Sequence, residues 1–471
     1  MIKRYLIGLT TVFVCFAAVL ANAATHYVIP PGTAGADPLN PYTNWARAGT
    51  NIIDVVNCAM TNTESRTVWV SNGTYVLTNQ IYITNGLSLQ GFNGRSNTFI
   101  DGNRTAGNTN RCFYINNASA IVKGFTISNG GNTTADGGGV YCNNGKLDDC
   151  TIKLNIAGSG GGVLLVNGIL TNCLITTNIS HVVAWDAGGG GVFARNSTAA
   201  YFFNCDIISN STSCHGGGIY LYESPPTIIR GCNISCNYAH MYYGGIMGTA
   251  STFIEMSDSV ISNNYAQQLT GGVNLYGSGT ISNCIICYNS AGGDGGAGGV
   301  VISSSLMKMY NCLIYSNNNA TLYYTAEPGG GGMLATAGTI VNCTIAKNSG
   351  RWGASGLSCT GATENVKVIN TIIYSNSFYD GTIKAAFTNC CLESTNDLNA
   401  TSCTTNNPLF ADYAGDNYHL NVNSPCVNAG LNQDWMTNAV DLDGRRRIRY
   451  GTVDMGAYET IYNGTIYKIG F

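Results

Sequence analysis

Two short phrases alternate along the chain, and their recurrence constrains the fold more than any other feature. The first is two or three glycines followed by an aliphatic residue. The aliphatic positions are Val140, Val163, Val192, Ile219, Ile246, Val273, Val300, Met333 and Leu357, in steps of 23, 29, 27, 27, 27, 27, 33 and 24 residues. The second phrase is Cys-x-Ile-x-x-Asn, beginning at Cys150, Cys173, Cys205, Cys232, Cys284, Cys312 and Cys343, with Ser259 and Thr371 replacing cysteine in two further copies. A unit this small, holding two or three short alternating segments, cannot bury its own apolar face. Stacking units about 4.8 Å apart turns the Cys, Ile and Val positions into continuous internal ladders. Asn at the end of the second phrase is expected to stack as an amide ladder. Glycine before the aliphatic residue is expected to turn the backbone with φ > 0. The repeat region shows no sustained helical periodicity.

The expected class is therefore all-β: a right-handed parallel β-helix solenoid over residues 111–400. Residues 24–110 are read as an N-terminal cap and first coils, and 401–471 as a loop-rich C-terminal module. Asn51–Met60 has helical spacing, with Ile52, Val55, Val56 and Ala59 on one face, as a short helix capping the open end would. Strands are expected at Thr67–Val70, Tyr75–Leu77 and Leu87–Gln90. Composition agrees: glycine is 60 of 471 residues and charged residues only 10%. A net charge of −3 leaves no basic footprint for nucleic acid. Lys3 and Arg4, the apolar run Tyr5–Leu20 and Ala21-Asn22-Ala23 read as a signal peptide over 1–23. Export follows as the expectation, to the extracellular space or the cell surface, including the outer membrane. After removal of the signal the protein is not expected to be an integral membrane protein. Cysteines at one phase of the repeat are expected to be packed thiols. Cys403, Cys426 and either Cys390 or Cys391 are the better disulfide candidates.

These phrases resemble the repeats of chlamydial polymorphic outer-membrane proteins and of related right-handed β-helix proteins of the pectin-lyase-like superfamily. PYTNWARAGTNIIDVV near the start, and NPLF, SPCVNAG, DLDGRRRIR and DMGAYE near the end, look like secreted bacterial β-helix proteins with a choice-of-anchor module. The resemblance implies fold and export more than activity. Two departures stand out. The eighty residues after Cys391 are too few and too turn-rich for a membrane barrel, and no hydrophobic helix follows Glu459. Release from the cell, or retention encoded elsewhere, is the expectation.

Length variation falls between the Asn of one phrase and the Gly of the next, so insertions emerge on one side. They carry Trp185, Asp186, His215, His240, Tyr242, Tyr243, Tyr323, Tyr324 and Trp352, taken here as candidate ligand-binding residues. His181, Tyr238, Tyr265, Asp136, Asp294, Glu327 and Arg351 lie on or beside the same insertions. Aromatic faces suit sugar rings, so the leading expectation is a structural or adhesive protein that binds a polysaccharide or cell-surface glycan without catalysis. The alternative is a polysaccharide lyase or glycoside hydrolase on the same side, which requires acids, or an acid with Lys or Arg, to converge on neighbouring coils. No cofactor is expected. Asp441-x-Asp443-Gly444 matches the start of a Ca²⁺ loop, but the later ligands are missing and arginines stand there instead. Structural ion pairs holding the module on the last coil are the favoured reading of Asp441–Arg449.

Overall fold

The computed structural model describes residues 24–61, 66–105, 110–131, 135–224, 226–293, 295–320, 329–350, 355–360, 365–376, 384–396 and 398–461. The proposed signal peptide lies outside them. The chain is a parallel β-solenoid. Its described strands form sheets of 23, 13 and 8 strands that run along the coil axis, and a separate two-stranded hairpin pairs Phe410–Asp412 with Asn417–Leu420. The largest sheet takes the strand after each glycine pair and the strand that precedes each Cys phrase. The second takes the Cys-x-Ile strands, and the third the two-residue strands after the ladder Asn. Register is constant from coil to coil: Ile207 pairs Ile234, Ile234 pairs Ile261, and Ile261 pairs Ile286. The helix Ile52–Thr61 closes the first coil, with Ile52, Val55, Val56 and Ala59 buried.

The asparagine ladder is continuous. Asn155, Asn178, Asn210, Asn237, Asn264, Asn289, Asn317 and Asn348 each donate Nδ2–H to Oδ1 of the next, ending on Asn376, at 2.9–3.1 Å. The second Nδ2–H of each goes to an isoleucine carbonyl of the preceding coil, for example Asn237 to Ile207 O at 2.8 Å. All the bonds run one way, so each amide polarises the next. The cysteine ladder is buried. Ladder thiols donate to the carbonyl two residues earlier at 3.1–3.5 Å, and Ser259 and Thr371 make the same bond through their hydroxyls at 2.7 and 2.9 Å. The slot therefore selects a small donor. The eighteen described cysteines all carry free thiols.

The glycines depart from expectation. The two directly before the aliphatic residue do not have φ > 0. That conformation belongs to the glycine before them where the run is three long, as at Gly160 (φ 63°) and Gly216 (φ 63°). The paired glycines are needed because backbones of adjacent coils touch. A Cβ on Gly217 would lie 2.5 Å from Gly244 O, and one on Gly218 would lie 2.8 Å from Gly245 O.

The C-terminal module is not confined to the last coil. It folds back along the outer face of the Cys-x-Ile sheet, a correction that rests on named contacts. Ala457 and Tyr458 pack on Leu313 and Ala346, Met455 on Ile372 and Cys391, and Met436 and Val453 on Val341. The turn before each Cys phrase is left-handed, as at Asn311 (φ 52°), Asn342 (φ 51°), Asn370 (φ 50°) and Asn389 (φ 50°), a conformation Asn tolerates. Their side-chain amides hold the module: they donate to Val440 O, Asp454 O, Leu431 O and Ala429 O at 2.9, 2.9, 2.9 and 3.1 Å.

Within the module, Arg447 is fully buried and meets Glu459 at 3.2 Å, and it donates to Asp454 O and Gly456 O. Asp441 accepts the backbone N–H groups of Asp443, Arg445 and Glu459. Its oxygens are thus committed to the loop, and Asp443 pairs with His419 and Arg445, both at 2.7 Å. Burial pushes the Glu459 carboxyl up to about 8, with Arg447 pulling it back only in part. A carboxyl raised on folding binds protons more tightly folded than unfolded. Stability is therefore greatest below the ordinary glutamate range and falls as pH rises towards 8. We expect the thermal midpoint to drop across that window, and Glu459→Gln to flatten the drop. Equal slopes for the two proteins would disprove the assignment.

Candidate functional site

The site begins with a strand position. In the strand after the glycines, the aliphatic residue points inward and its successor outward. The outward residues Tyr141, Leu164, Phe193, Tyr220 and Met247 lie in register on successive coils. Leu164, Phe193, Tyr220 and Met247 are nonetheless buried, because the inserted loops fold over them. Tyr220 then anchors the longest of these loops by donating its hydroxyl to Trp185 O at 2.7 Å.

That anchor brings three rings together from three coils. Trp185 stacks with Tyr242 at 5.7 Å between centroids, and His215 lies 5.3 Å from Trp185 and 4.9 Å from Tyr242. They line a hollow of about 120 Å³ with Val183, Ala184, Cys214 and Met241. Trp185 is 74% exposed, whereas His215 is 1% exposed. Neither ring nitrogen of His215 has a hydrogen-bond partner among the described residues. Burial lowers its pKa to about 4, so the imidazole is neutral and offers one donor and one acceptor.

Charge gathers beside the rings. Arg195 lies 3.7 Å from Asp136 and 3.8 Å from Asp186. Burial raises the Asp136 carboxyl, with Arg195 and Arg111 opposing. Arg111 lies over the Tyr141 ring at 5.0 Å, and Tyr141 continues a row through Tyr114 to Tyr82 at 5.1 and 5.6 Å.

The residues singled out from the sequence divide clearly. Trp185, His215 and Tyr242 converge, with Asp186 at the rim. Tyr243 does not face the hollow opening: it is buried, stacked behind His215 at 5.5 Å, with its hydroxyl 3.3 Å from that of Tyr276. His240 is exposed on the neighbouring short sheet, edge-on to Tyr238 at 4.7 Å. Tyr323, Tyr324, Trp352, Asp294, Glu327 and Arg351 lie outside the described residues. Sequence reasoning missed Tyr220, Phe193 and Arg195. The period-two alternation after each glycine pair was the signal that could have found the first two. Among the described residues no group of three or more His, Cys, Asp or Glu side chains could hold a metal ion, and no helix is long and apolar enough to cross a membrane.

Comparison with known proteins adds a match within the repeat. Residues 160–294 match the family model for the right handed beta helix region. The solenoid is a right-handed parallel β-helix. No curated protein matches the chain. Solved structures similar to this β-helix include the pectate lyase Pel9A, at 13% identity over 92% of this chain and 96% of that one, TM-score 0.41. A pectin methylesterase from Aspergillus niger matches at 14% identity over 65% and 89%, TM-score 0.33. The Dettilon tailspike protein matches at 12% identity over 81% and 67%, TM-score 0.38.

Proposed function

We propose that this β-helix is an exported structural or adhesive protein that binds an extended glycan along its loop-bearing side, without catalysis. One observation carries the reading: an exposed Trp185 ring, paired with Tyr242, stands at the mouth of a hollow that His215 also lines, its two ring nitrogens buried and unpartnered among the described residues. An exposed aromatic face stacks on a sugar ring, and a neutral imidazole serves a hydroxyl as donor or acceptor. The Lys3-Arg4 and Ala21-Asn22-Ala23 pattern supports export.

Trp185→Ala with Tyr242→Ala is expected to weaken binding to whichever glycan of a polysaccharide panel is retained by about ten- to a hundredfold. Affinity electrophoresis measures it, and unchanged retention would sink the proposal. Thermal unfolding should stay near that of the parent.

Polysaccharide cleavage is the second reading, favoured by the convergence of Asp136 and Asp186 on Arg195 across stacked coils. Burial raises the Asp136 carboxyl beside that arginine, the direction that suits a general acid. Shortened or unsaturated products from the same panel, lost in Asp136→Asn, would establish this reading instead.

A further inference from the structure

The ladder slot accounts for half of the eighteen described cysteines; Cys391 and Cys426 lie outside it and share one buried cluster. Cys390 occupies the internal ladder slot. Cys391, the next residue, therefore points outward, at a position held by Ile372 on the preceding coil and by Thr344 and Leu313 on the coils before it. No ladder demands sulfur there. Cys426 is the only cysteine after Cys403 and belongs to the module. Both are completely buried, and both pack with Ile372, Leu420 and Met455 at the seam between solenoid and module. The two side chains share this one buried cluster, and Cys391 Sγ also reaches Asn406 O at 3.3 Å. The Cys426 backbone is fixed by the bond from Met455 N to its carbonyl at 2.9 Å.

We propose that Cys391 and Cys426 form a disulfide that staples the C-terminal module to the outside of the solenoid. The oxidant is a low-molecular-weight disulfide or a dithiol oxidase. Both S–H bonds break and one S–S bond forms. The two electrons reduce the oxidant's disulfide, and its two thiols take up the two protons. The neighbouring Cys426, and then burial, raise the Cys391 pKa, so little thiolate exists in the closed seam. Exchange needs a thiolate, so the bond closes as the module docks or during brief undocking. The internal ladder behaves differently. Its thiols are sealed between coils, and Ser259 and Thr371 perform the same hydrogen bonding without sulfur.

The test uses the full chain, treated with oxidised glutathione, then denatured and alkylated, with peptides mapped by mass. The expected product is a Cys391–Cys426 cross-linked peptide lighter by two hydrogens, with Cys150, Cys173, Cys205 and Cys232 all alkylated. Proteolysis within the module should slow about tenfold on oxidation, return on reduction, and show no slowing in Cys426→Ser. Alkylation of both Cys391 and Cys426 after oxidation would overturn the proposal, as would a cross-link from either one to another cysteine. Equal slowing in Cys426→Ser would overturn it too.

Discussion

Replacing Asn237 with alanine is expected to destabilise the solenoid by about 4 kcal/mol, among the largest effects of any single substitution in the coil. The side chain occupies the middle of the ladder. Its Oδ1 accepts from both the backbone N–H and the Nδ2–H of Asn210, at 3.0 and 3.1 Å. Its Nδ2 serves Ile207 O at 2.8 Å and Asn264 Oδ1 at 2.9 Å. Alanine strands several buried groups at once, and each orphan costs roughly 1–3 kcal/mol. Adjacent coils can relax only slightly, because the glycine contacts hold the backbones together. Asn376 is the control: it ends the described ladder and is half-buried. Asn376→Ala should cost less than half as much. Denaturant unfolding followed by circular dichroism decides the matter, and equal losses at the two positions would refute the ladder's cooperative role.

Arg447→Met is expected to release the C-terminal module while leaving the coil folded. Breaking a buried ion pair by removing one partner costs about 3–5 kcal/mol, because the remaining charge stays buried. Here three acids surround one cation: Asp441, Asp454 and Glu459 all act on Arg447. The same guanidinium also ties Asp454 O and Gly456 O, and Asp454 O accepts from Asn342 of the solenoid. Loss of the cation thus loosens the contact with the coil as well as the loop. Limited proteolysis should cut the variant rapidly between residues 405 and 461. Above pH 8, where Glu459 is ionised, Arg447→Met with Glu459→Gln should recover part of the resistance, since the acid left behind is then neutral. Unaltered resistance in the single variant would show that apolar contacts alone hold the module.

The internal architecture was legible because it is written repeatedly. One residue type at one phase, nine times over, admits few explanations, and the Asn and Cys ladders follow from that phase. The features that were not legible depend on what lies on top of what. Leu164, Phe193, Tyr220 and Met247 alternate outward and read as surface, yet loops of irregular length cover them. Asp136 lies fifty residues before Asp186 along the chain and meets the Asp186–Arg195 pair only because the coils stack. Asn311, Asn342, Asn370 and Asn389 look like ordinary turn residues. Their role in gripping the module appears only when the chain doubles back over them. Tyr243 was misplaced for a related reason: of two adjacent tyrosines, the sequence cannot say which one the loop turns inward.

The constant register of the coils also turns the loop-bearing side into a ruler. Spacing along its axis is set by backbone hydrogen bonds at about 4.8 Å per coil, not by the side chains displayed there. Beneath the loops, Phe193, Tyr220 and Met247 come from three consecutive coils in register, so they mark graduations that substitution of neighbouring residues cannot shift. A polymer lying along this axis is measured against that fixed interval, and one whose repeat falls out of step loses contact progressively with each coil it crosses.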